Sequence, residues 1–266
     1  MFTGLRDKDE IYCKMTNTNF PGITLETNPV SKTKESETGQ NLTIVTTLRD
    51  FDNEYDGQVT LREAIKYANE NGLTTIKFAP ELNGIITLDG RQLDIDKNIT
   101  IDANGANITI SGNTNDDKRS RVFNIASGST VTLVGLTVTN GLASDGGGIY
   151  NEGLLTIIDC TIIRNRANNA GGGIDNRSGT VTVISSEITG NSAVGGGGIH
   201  NFNGSTLEIM NSIIAGNSAD YGGGIHSNSN SSVSTTNSTI AGNNAARGPI
   251  DDVFAGKVQR PIAVCV

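Results

Sequence analysis

The chain has little of what marks several common protein classes. It has no tryptophan, and only 5% of its 266 residues are aromatic, whereas 33 are glycine. Because its apolar residues are mostly Ile, Val and Leu, this composition favours β structure with many tight turns over a helical bundle. No window approaches the roughly 18 consecutive apolar residues of a membrane-spanning helix. We therefore expect an all-β protein without a transmembrane segment.

Clusters of basic residues are also missing. The chain carries 28 acidic and 20 basic residues, for a formal net charge of −8. Proteins that bind nucleic acids or anionic membranes usually show a concentrated patch of Lys and Arg. We therefore expect no nucleic-acid partner.

Cysteine is scarce and widely spaced. Cys13, Cys160 and Cys265 are odd in number and form no Cys-x-x-Cys motif, which argues against a disulfide framework and a structural zinc site. The residues that follow Met1 contain no apolar stretch of the kind that a secretory signal peptide has. No export signal is therefore visible.

Changes in composition divide the chain into four parts. Residues 1–40 are polar and aperiodic, and we expect a disordered or poorly ordered tail. Residues 41–74 contain a short strand, an acidic turn and a helix, and residues 75–247 contain short β-branched runs separated by Gly, Asn and Asp. The pattern breaks after Arg247, so residues 248–266 are expected to form a C-terminal cap or remnant.

The predicted helix lies in the stretch TLREAIKYANENG. Its spacing places apolar side chains on one face, and Gly72 is a typical stop signal. The expected buried face consists of Leu61, Ala64, Ile65 and Ala68.

The second half of the chain repeats itself every 25 or 26 residues. Four units begin with a glycine triplet, at Gly146, Gly171, Gly196 and Gly222. An isoleucine follows each triplet, at 149, 174, 199 and 225, and an asparagine closes each unit, at 165, 191, 217 and 243. The units GGGIHN and GGGIHS contain the two histidines of the chain.

A repeat of this length, with short strands and no internal helix, is typical of a coil of a parallel β-solenoid. We predict a right-handed parallel β-helix of about seven coils, in which successive coils stack at ~4.8 Å. Equivalent residues should form ladders, with the isoleucines inside and Asn151, Asn176 and Asn201 at the next turn. The helix is expected to cap the N-terminal end, where the first coil would otherwise expose its backbone.

Two groups of motifs carry a resemblance to known proteins. The region that holds LTIVTT, GQVTLREAIKYAN and IKFAPELNGIITLDG resembles bacterial extracellular β-helix proteins with the signature Cys-Ser-Leu-Arg-Glu-Ala-Ile. Val59 and Thr60 replace the Cys and Ser of that signature, and Leu61 to Ile65 match it. The GGGI-x-N and I-x-G-N repeats are similar to those of polymorphic outer-membrane proteins.

This resemblance implies a pectin-lyase-like β-helix that is secreted or displayed on a bacterial cell surface. We expect an adhesin-like or carbohydrate-binding module without enzymatic activity, whose partner is a polysaccharide or a host or cell-surface ligand. The alternative is a polysaccharide lyase or glycoside hydrolase of the same fold. Such an enzyme needs clustered carboxylates in a groove, whereas the acidic residues of the regular coils mostly occupy different columns.

The residue after each isoleucine forms the first candidate site. Because side chains alternate along a strand, this residue points away from the core. The column consists of Tyr150, Asp175, His200 and His226. An aspartate and two histidines stacked on one face are a candidate acid-base or metal site, although the flanking columns suggest no supporting carboxylates.

The second candidate is a calcium loop, the one cofactor site that the sequence indicates. In DNEYDGQVTLRE, carboxylates stand at positions 1, 3, 5 and 12 of a calcium-loop frame, and Gly57 stands at position 6. The ligands would be Asp52, Glu54, Asp56 and Glu63. The alternative is an acidic turn that begins the helix, with Glu63 near its positively charged end.

Two other surface patterns point to no site. Asp94, Asp96 and Asp102 alternate with isoleucines, as on any exposed strand face. An ice-binding surface would need a regular threonine ladder, and Thr132, Thr156, Thr182 and Thr235 are expected to be too irregular to form one.

Overall fold

The structure is a computed structural model of two compact units, residues 1–41 and 42–266. It describes residues 42–52, 56–72, 75–228 and 230–247, and six short strands outside those ranges. In the first unit, Glu10–Ile11 pairs with Val30–Ser31 and Lys14–Thr16 pairs with Thr24–Glu26, both antiparallel. The other residues of the predicted tail lie outside the described residues.

The second unit is a parallel β-helix, as predicted. Each regular coil contributes one strand in turn to three parallel sheets, which we name A, B and C. Sheet A has seven strands: Leu93–Ile95, Phe123–Ile125, Ile149–Asn151, Ile174–Arg177, Ile199–Phe202, Ile225–Ser227 and Val253–Phe254. Sheet C also has seven: Gly84–Thr87, Ile108–Ser111, Leu136–Thr139, Thr161–Ile163, Glu187–Thr189, Ile213–Ala215 and Thr239–Ala241. These agree with the predicted number of coils.

Sheet B is longer because it begins before the helix. Its nine strands are Ile44–Val45, Thr75–Phe78, Ile99–Asp102, Thr130–Val134, Leu154–Ile158, Thr180–Ile184, Thr206–Met210, Ser232–Thr236 and Val258–Gln259. Between sheets C and A, Leu142–Asp145 pairs with Arg166–Ala170 and Ser218–Ala219 pairs with Asn244–Ala245. A short 3-10 helix covers Asp116–Lys118. The strands at 253–254 and 258–259 continue sheets A and B into the predicted C-terminal region.

The core is a stack of aliphatic ladders. The predicted ladder Ile149, Ile174, Ile199 and Ile225 is in register and fully buried. Sheets B and C bury equivalent columns of Ile, Leu and Val. Burial of a whole aliphatic side chain stabilises a fold by about 1.5–3 kcal/mol, so the repeated core residues supply much of the stability of every coil.

The three glycines of each triplet have different roles. Gly171 has a φ of +65°, a left-handed conformation that glycine adopts with little strain. Gly172 and Gly173 lie against the next coil, where an added Cβ would be 2.4 Å from the Gly197 carbonyl oxygen and 2.6 Å from that of Gly198. The first glycine therefore allows the turn, and the other two allow the coils to stack closely.

Asparagine ladders replace aliphatic residues at two inner corners. Asn151 Nδ2 donates to Asn176 Oδ1 at 2.9 Å, and Asn176 Nδ2 donates to Asn201 Oδ1 at 2.8 Å. The closing asparagines form a second ladder, in which Asn191 Oδ1 accepts from the backbone N–H of Asn165 at 2.9 Å and from its Nδ2 at 3.1 Å. These buried amides satisfy each other from coil to coil, as buried polar groups must.

The helix α1, Leu61–Asn71, covers the N-terminal end of the stack. Its buried face contains the predicted Leu61, Ala64, Ile65 and Ala68, and it ends at Gly72. It contacts the first strand of sheet A and the first three strands of sheet B. Arg62 ties it to the first coil through an ion pair with Asp50 at 2.7 Å. The helix therefore shields the apolar end of the first coil.

Among the residues that the structure describes, α1 is the one α-helix. None of the described helices is long and apolar enough to cross a membrane.

Candidate functional site on sheet A

The predicted column on the outer side of sheet A is confirmed in its register. Tyr150, Asp175, His200 and His226 are direct neighbours on successive strands, and we call them the His column. Because they alternate with the buried isoleucines, their side chains leave the strands on the side opposite the core.

The two central residues of the column point away from the core but are largely shielded from solvent. Asp175 is fully buried, and only 8% of His200 is exposed. The turn before the triplet that begins at Gly196 lies against the column: an added Cβ on Gly195 would lie 2.9 Å from His226 Nδ1 and 3.9 Å from His200 Cδ2. This corner of the coil therefore covers part of both histidines.

Asp175 holds two basic side chains. His200 Nδ1 lies 2.7 Å from Asp175 Oδ1, and Arg177 Nη2 lies 3.2 Å from Asp175 Oδ2. A carboxylate accepts hydrogen bonds, so Nδ1–H of His200 donates to Asp175 Oδ1. The contact with Asp175 therefore fixes the orientation of the imidazole.

A second carboxylate supports Arg177. Its Nη2 lies 3.5 Å from Asp145 Oδ1, the same oxygen that accepts a 2.7 Å hydrogen bond from Asn169 Nδ2. From the sequence, no supporting carboxylate is expected in the flanking columns, and Asp145 reaches Arg177 from outside those columns. Asp145 comes from the strand Leu142–Asp145, outside sheet A, and no column of the repeat aligns it with Asp175.

Aromatic rings surround this ionic group. The ring centroids of His200 and Phe202 are 5.4 Å apart and stacked, those of His200 and His226 are 5.3 Å apart, and Tyr221 lies 6.4 Å from His226. Arg177 lies over the rings of both Tyr150 and Phe202, at 5.8 and 6.0 Å. We call Tyr150, His200, Phe202, Tyr221 and His226 the aromatic strip.

Two members of the strip have shifted pKa values. Burial lowers the pKa of His226 below its usual 6.5, and the nearby His200 lowers it further. Burial also raises the pKa of Tyr150, whose hydroxyl donates a 3.0 Å hydrogen bond to Glu152. Burial therefore favours the neutral form of His226, and the arginines beside the strip add positive charge to this face.

An open cavity of about 500 Å³ continues the site toward the N-terminal end. Arg121 lies at its wall and 4.9 Å from the centroid of the Tyr150 ring, so it links the cavity to the strip. Burial lowers the pKa of Arg121, although an arginine remains charged in proteins. The polar lining residues of the cavity include Arg62, Arg91, Gln92, Asp94, Ser120 and Arg121.

The described residues contain no group of three or more His, Cys, Asp or Glu side chains that could hold a metal ion. The column residues Asp175, His200 and His226 therefore do not assemble a metal centre. A substrate would reach the His200 imidazole only through the small exposed part of its ring.

The residues of the calcium frame have other partners. Glu63 Oε2 accepts from the backbone N–H of Thr60 at 2.9 Å, which completes a capping box at the start of α1. Asp56 Oδ1 accepts from the backbone N–H of Gln58, and Asp52 lies 3.5 Å from Lys66 Nζ. Glu54 lies outside the described residues, so the complete frame stays a prediction. Melting with and without calcium tests it, since a ligand bound only by the folded state raises the midpoint.

The threonines on sheet B are more regular than the sequence suggested. Thr132, Thr156 and Thr182 stack directly in register above Thr100, so the prediction of an irregular arrangement is wrong for them. Thr235, in contrast, is a buried residue of the inner column. Thr75 pairs in register with Thr100 at the other end, and the outer column continues with Glu208 after Thr182, so the threonine ladder spans five successive strands.

The thiol of Cys160 has low reactivity. It is buried at the corner between sheets B and C, and burial raises the pKa of its thiol to about 11. The thiolate that reacts with electrophiles is therefore scarce at neutral pH. Cys13 and Cys265 lie outside the described residues.

The sequence analysis missed Arg177, Phe202, Tyr221 and Arg121. One signal was present: Arg177 stands two residues after Asp175 on the same strand and pairs in register with Phe202. Alternation along the strand therefore puts both on the outer face. Tyr221 and Arg121 lie outside the strands of sheet A, and only the path of the coil corners brings them close.

Comparison of the chain with protein-family models, with curated proteins and with solved structures finds no match in any of the three.

Proposed function

We propose that this chain is a non-enzymatic β-helix module that binds carbohydrate along sheet A. The observation that supports this proposal is the aromatic strip. Phe202 and Tyr221 are 40% and 43% exposed, in a chain with few aromatic residues, and they lie on one face with Tyr150 and both histidines. Exposed rings gathered on one face are typical of a binding surface.

The chemistry of the strip suits sugars. An aromatic ring carries partial negative charge on its face, which attracts the weakly positive C–H groups on the apolar side of a pyranose. Arg177, which lies over the ring of Tyr150, supplies donors for hydroxyl or carboxylate oxygens. Arg121 also lies over this ring, and its guanidinium nitrogens already donate to the Asp145 and Gly146 carbonyls and to Gln92. A ligand that combines apolar ring faces with many oxygens would satisfy both kinds of group.

The side chains of the aromatic strip are held in place by their neighbours, which favours binding without a large rearrangement. The rings are carried by hydrogen-bonded strands, and Asp175 and Asp145 hold Arg177 between Tyr150 and Phe202. Side chains that are already ordered lose little conformational entropy when a ligand binds. The small exposure of His200 supports a role for the Asp175–His200 pair in positioning the rings.

The resemblance of the motifs to bacterial extracellular β-helix proteins supports a secreted or surface-displayed, adhesin-like protein. In that setting the ligand is a polysaccharide or a glycan of a host or neighbouring cell.

A glycan array followed by titration calorimetry tests the proposal. We expect Phe202→Ala and Tyr221→Ala each to weaken binding of the best glycan about tenfold, which corresponds to about 1.4 kcal/mol. Ile213→Ala is the matched control, because Ile213 is an equally exposed apolar residue on sheet C. The proposal fails if no glycan binds, or if the control weakens binding as much as Phe202→Ala does.

One observation favours an enzyme as the second candidate. The 2.7 Å contact between Asp175 and His200 orients an imidazole as a general base, with the cation of Arg177 beside it. A polysaccharide lyase of this fold would use such a base on a uronate. Absorbance at 235 nm with polyuronates measures this activity, and a signal that His200→Gln abolishes would replace the binding proposal by the enzymatic one.

A further inference from the structure

A second groove lies away from sheet A, at the corner that follows sheet C. Its volume is about 260 Å³, and three arginines line it together with uncharged polar residues. Its polar side chains include Arg119, Arg164, Arg166, Asn113, Asn140 and Ser192, and among the described residues neither Asp nor Glu lines it. In a chain with a net charge of −8, this is a local reversal of charge.

Arg164 departs from the repeat at a position that does not favour it. The residue after the sheet C strand has a φ between +55° and +66° in five successive coils, where the residues are Asn140, Arg164, Gly190, Gly216 and Gly242. Glycine and asparagine tolerate this left-handed conformation, whereas a long side chain is strained there. Strain that the repeat does not require is a recognised mark of functional residues.

Arg166 departs from the repeat in the same coil. Its register partners before and after it are Leu142 and Ser192, and the next partner is Ser218. Between the two arginines, Asn165 is buried in the asparagine ladder and donates to the Val138 carbonyl at 3.0 Å. Arg164 and Arg166 are exposed. Their guanidinium groups therefore extend from a corner of the coil whose backbone is held in place by Asn165.

Within the described residues, the side chains of Arg164 and Arg166 have neither an ion pair nor a hydrogen bond. This distinguishes them from Arg62 and Arg177, whose guanidinium groups are each held by an aspartate. Their donors are therefore open to a ligand.

We propose that this groove binds a tetrahedral oxyanion, a phosphate or sulfate that is either free or an ester. Guanidinium groups present paired N–H donors that match the oxygens of such anions. In the described part of the chain, Arg164 and Arg166 carry no ion pair, and the described lining residues of the groove include no carboxylate, so the groove favours a doubly charged anion over a carboxylate ligand. The hydroxyl of Ser192 supplies a further neutral donor. The side-chain amides of Asn113 and Asn140 already donate to the Leu88 carbonyl and to Ser111 Oγ, which leaves one N–H on each of them.

The test is calorimetric titration of the whole chain at low ionic strength with inorganic phosphate, inorganic sulfate, glucose 6-phosphate and acetate. We expect phosphate or sulfate to bind, acetate to bind at least about tenfold more weakly, and added salt to weaken binding. Glucose 6-phosphate distinguishes the sources: tighter binding than inorganic phosphate identifies an ester as the ligand, and weaker binding identifies the free ion.

Two variants replace a groove arginine by a residue that stands at the equivalent position of another coil. Arg164→Asn and Arg166→Ser should each weaken phosphate binding about tenfold, because each removes one charged donor group. Arg164→Asn should also melt about 2 °C or more above the unaltered chain, since it relieves backbone strain. Lost binding in a more stable protein excludes unfolding as its cause.

The matched control removes two positive charges elsewhere. Lys97→Gln with Arg247→Gln lowers the net charge as much as both groove variants together, and both residues are exposed and lie near aspartates. Binding should stay unchanged in this control. The proposal is overturned if phosphate and sulfate do not bind, if acetate binds as tightly, or if the control loses as much affinity as the groove variants.

Discussion

Asp175 is a fully buried carboxylate with basic groups on both of its oxygens. Loss of one partner of a buried ionic group leaves the other partners without compensation, which costs more than the pair contributes when intact. We expect Asp175→Ala to lower the free energy of unfolding by about 3 kcal/mol, measured by denaturant titration.

Asp220→Ala is the comparison for this change. Asp220 pairs with Arg247 at 3.4 Å, but that arginine is largely exposed, and exposed ion pairs contribute about 0–1 kcal/mol. Equal losses of stability in the two variants would show that Asp175 acts as a surface residue and would contradict its role as an anchor.

His226 makes the stability depend on pH. Because its pKa is lower in the folded protein than the usual 6.5, the unfolded chain binds a proton more readily, and stability falls as the pH drops below about 6.5. In His226→Gln, the free energy of unfolding should decrease less between pH 7.5 and pH 5 than in the unaltered chain. An unchanged slope would mean that burial of His226 does not disfavour its charge.

At the scale of single elements, the asparagine ladders replace part of the aliphatic core. Asn191 donates to the Ile162 carbonyl and to Asn217, and it accepts from two groups of Asn165. In Asn191→Ala, these buried partners lose their hydrogen bonds, and we expect a loss of about 2–3 kcal/mol in the free energy of unfolding.

Asn243→Ala provides the comparison at the end of the same ladder. Asn243 is only half-buried, so water can replace part of what its side chain provides. Asn243→Ala should therefore lower the free energy of unfolding less than Asn191→Ala does in the same denaturant titration. An equally large decrease would contradict the importance of burial in the ladder.

The glycine triplets and α1 show what an element's own residues specify. The capping box of Thr60 and Glu63, the apolar face and Gly72 define the helix from within. The triplet predicts a tight turn, but the need for glycine at its second and third positions comes from backbone atoms of the next coil. The sequence of a single repeat unit does not show this requirement for glycine.

At the scale of the whole molecule, the stack needs a cover at its N-terminal end. An uncovered first coil exposes sheet edges and apolar side chains, both of which recruit other chains. Ile65 lies on the buried face of α1 and is 3% exposed. Ile65→Asp should detach the helix and cause association, seen as early elution in size-exclusion chromatography.

Lys66→Asp is the control for this change, since Lys66 is on the exposed side of the same helix. It should elute as the unaltered chain does. Early elution of both variants would indicate an effect of charge on association, independent of the helix contact.

Most of the fold could be predicted because the residues that specify it recur at a regular spacing in the sequence. Ile149, Ile174, Ile199 and Ile225 recur at the distance of one coil, so the sequence predicts their ladder without any knowledge of the structure. The His column follows from the same period and from alternation along a strand. The register of the column was therefore predictable from the sequence. The neighbours of each residue along the column were predictable for the same reason.

The sequence by itself thus determined the solenoid, its core ladders and its capping helix, because local periodicity and stacking fix which residues align. The tertiary structure alone decided that Asp175 is buried, that Asp145 supports Arg177, and that Arg164 and Arg166 line a groove with Arg119. The physical reason is that these contacts join coil corners whose paths depend on how neighbouring coils pack, and a repeat period carries no information about contacts outside its own columns.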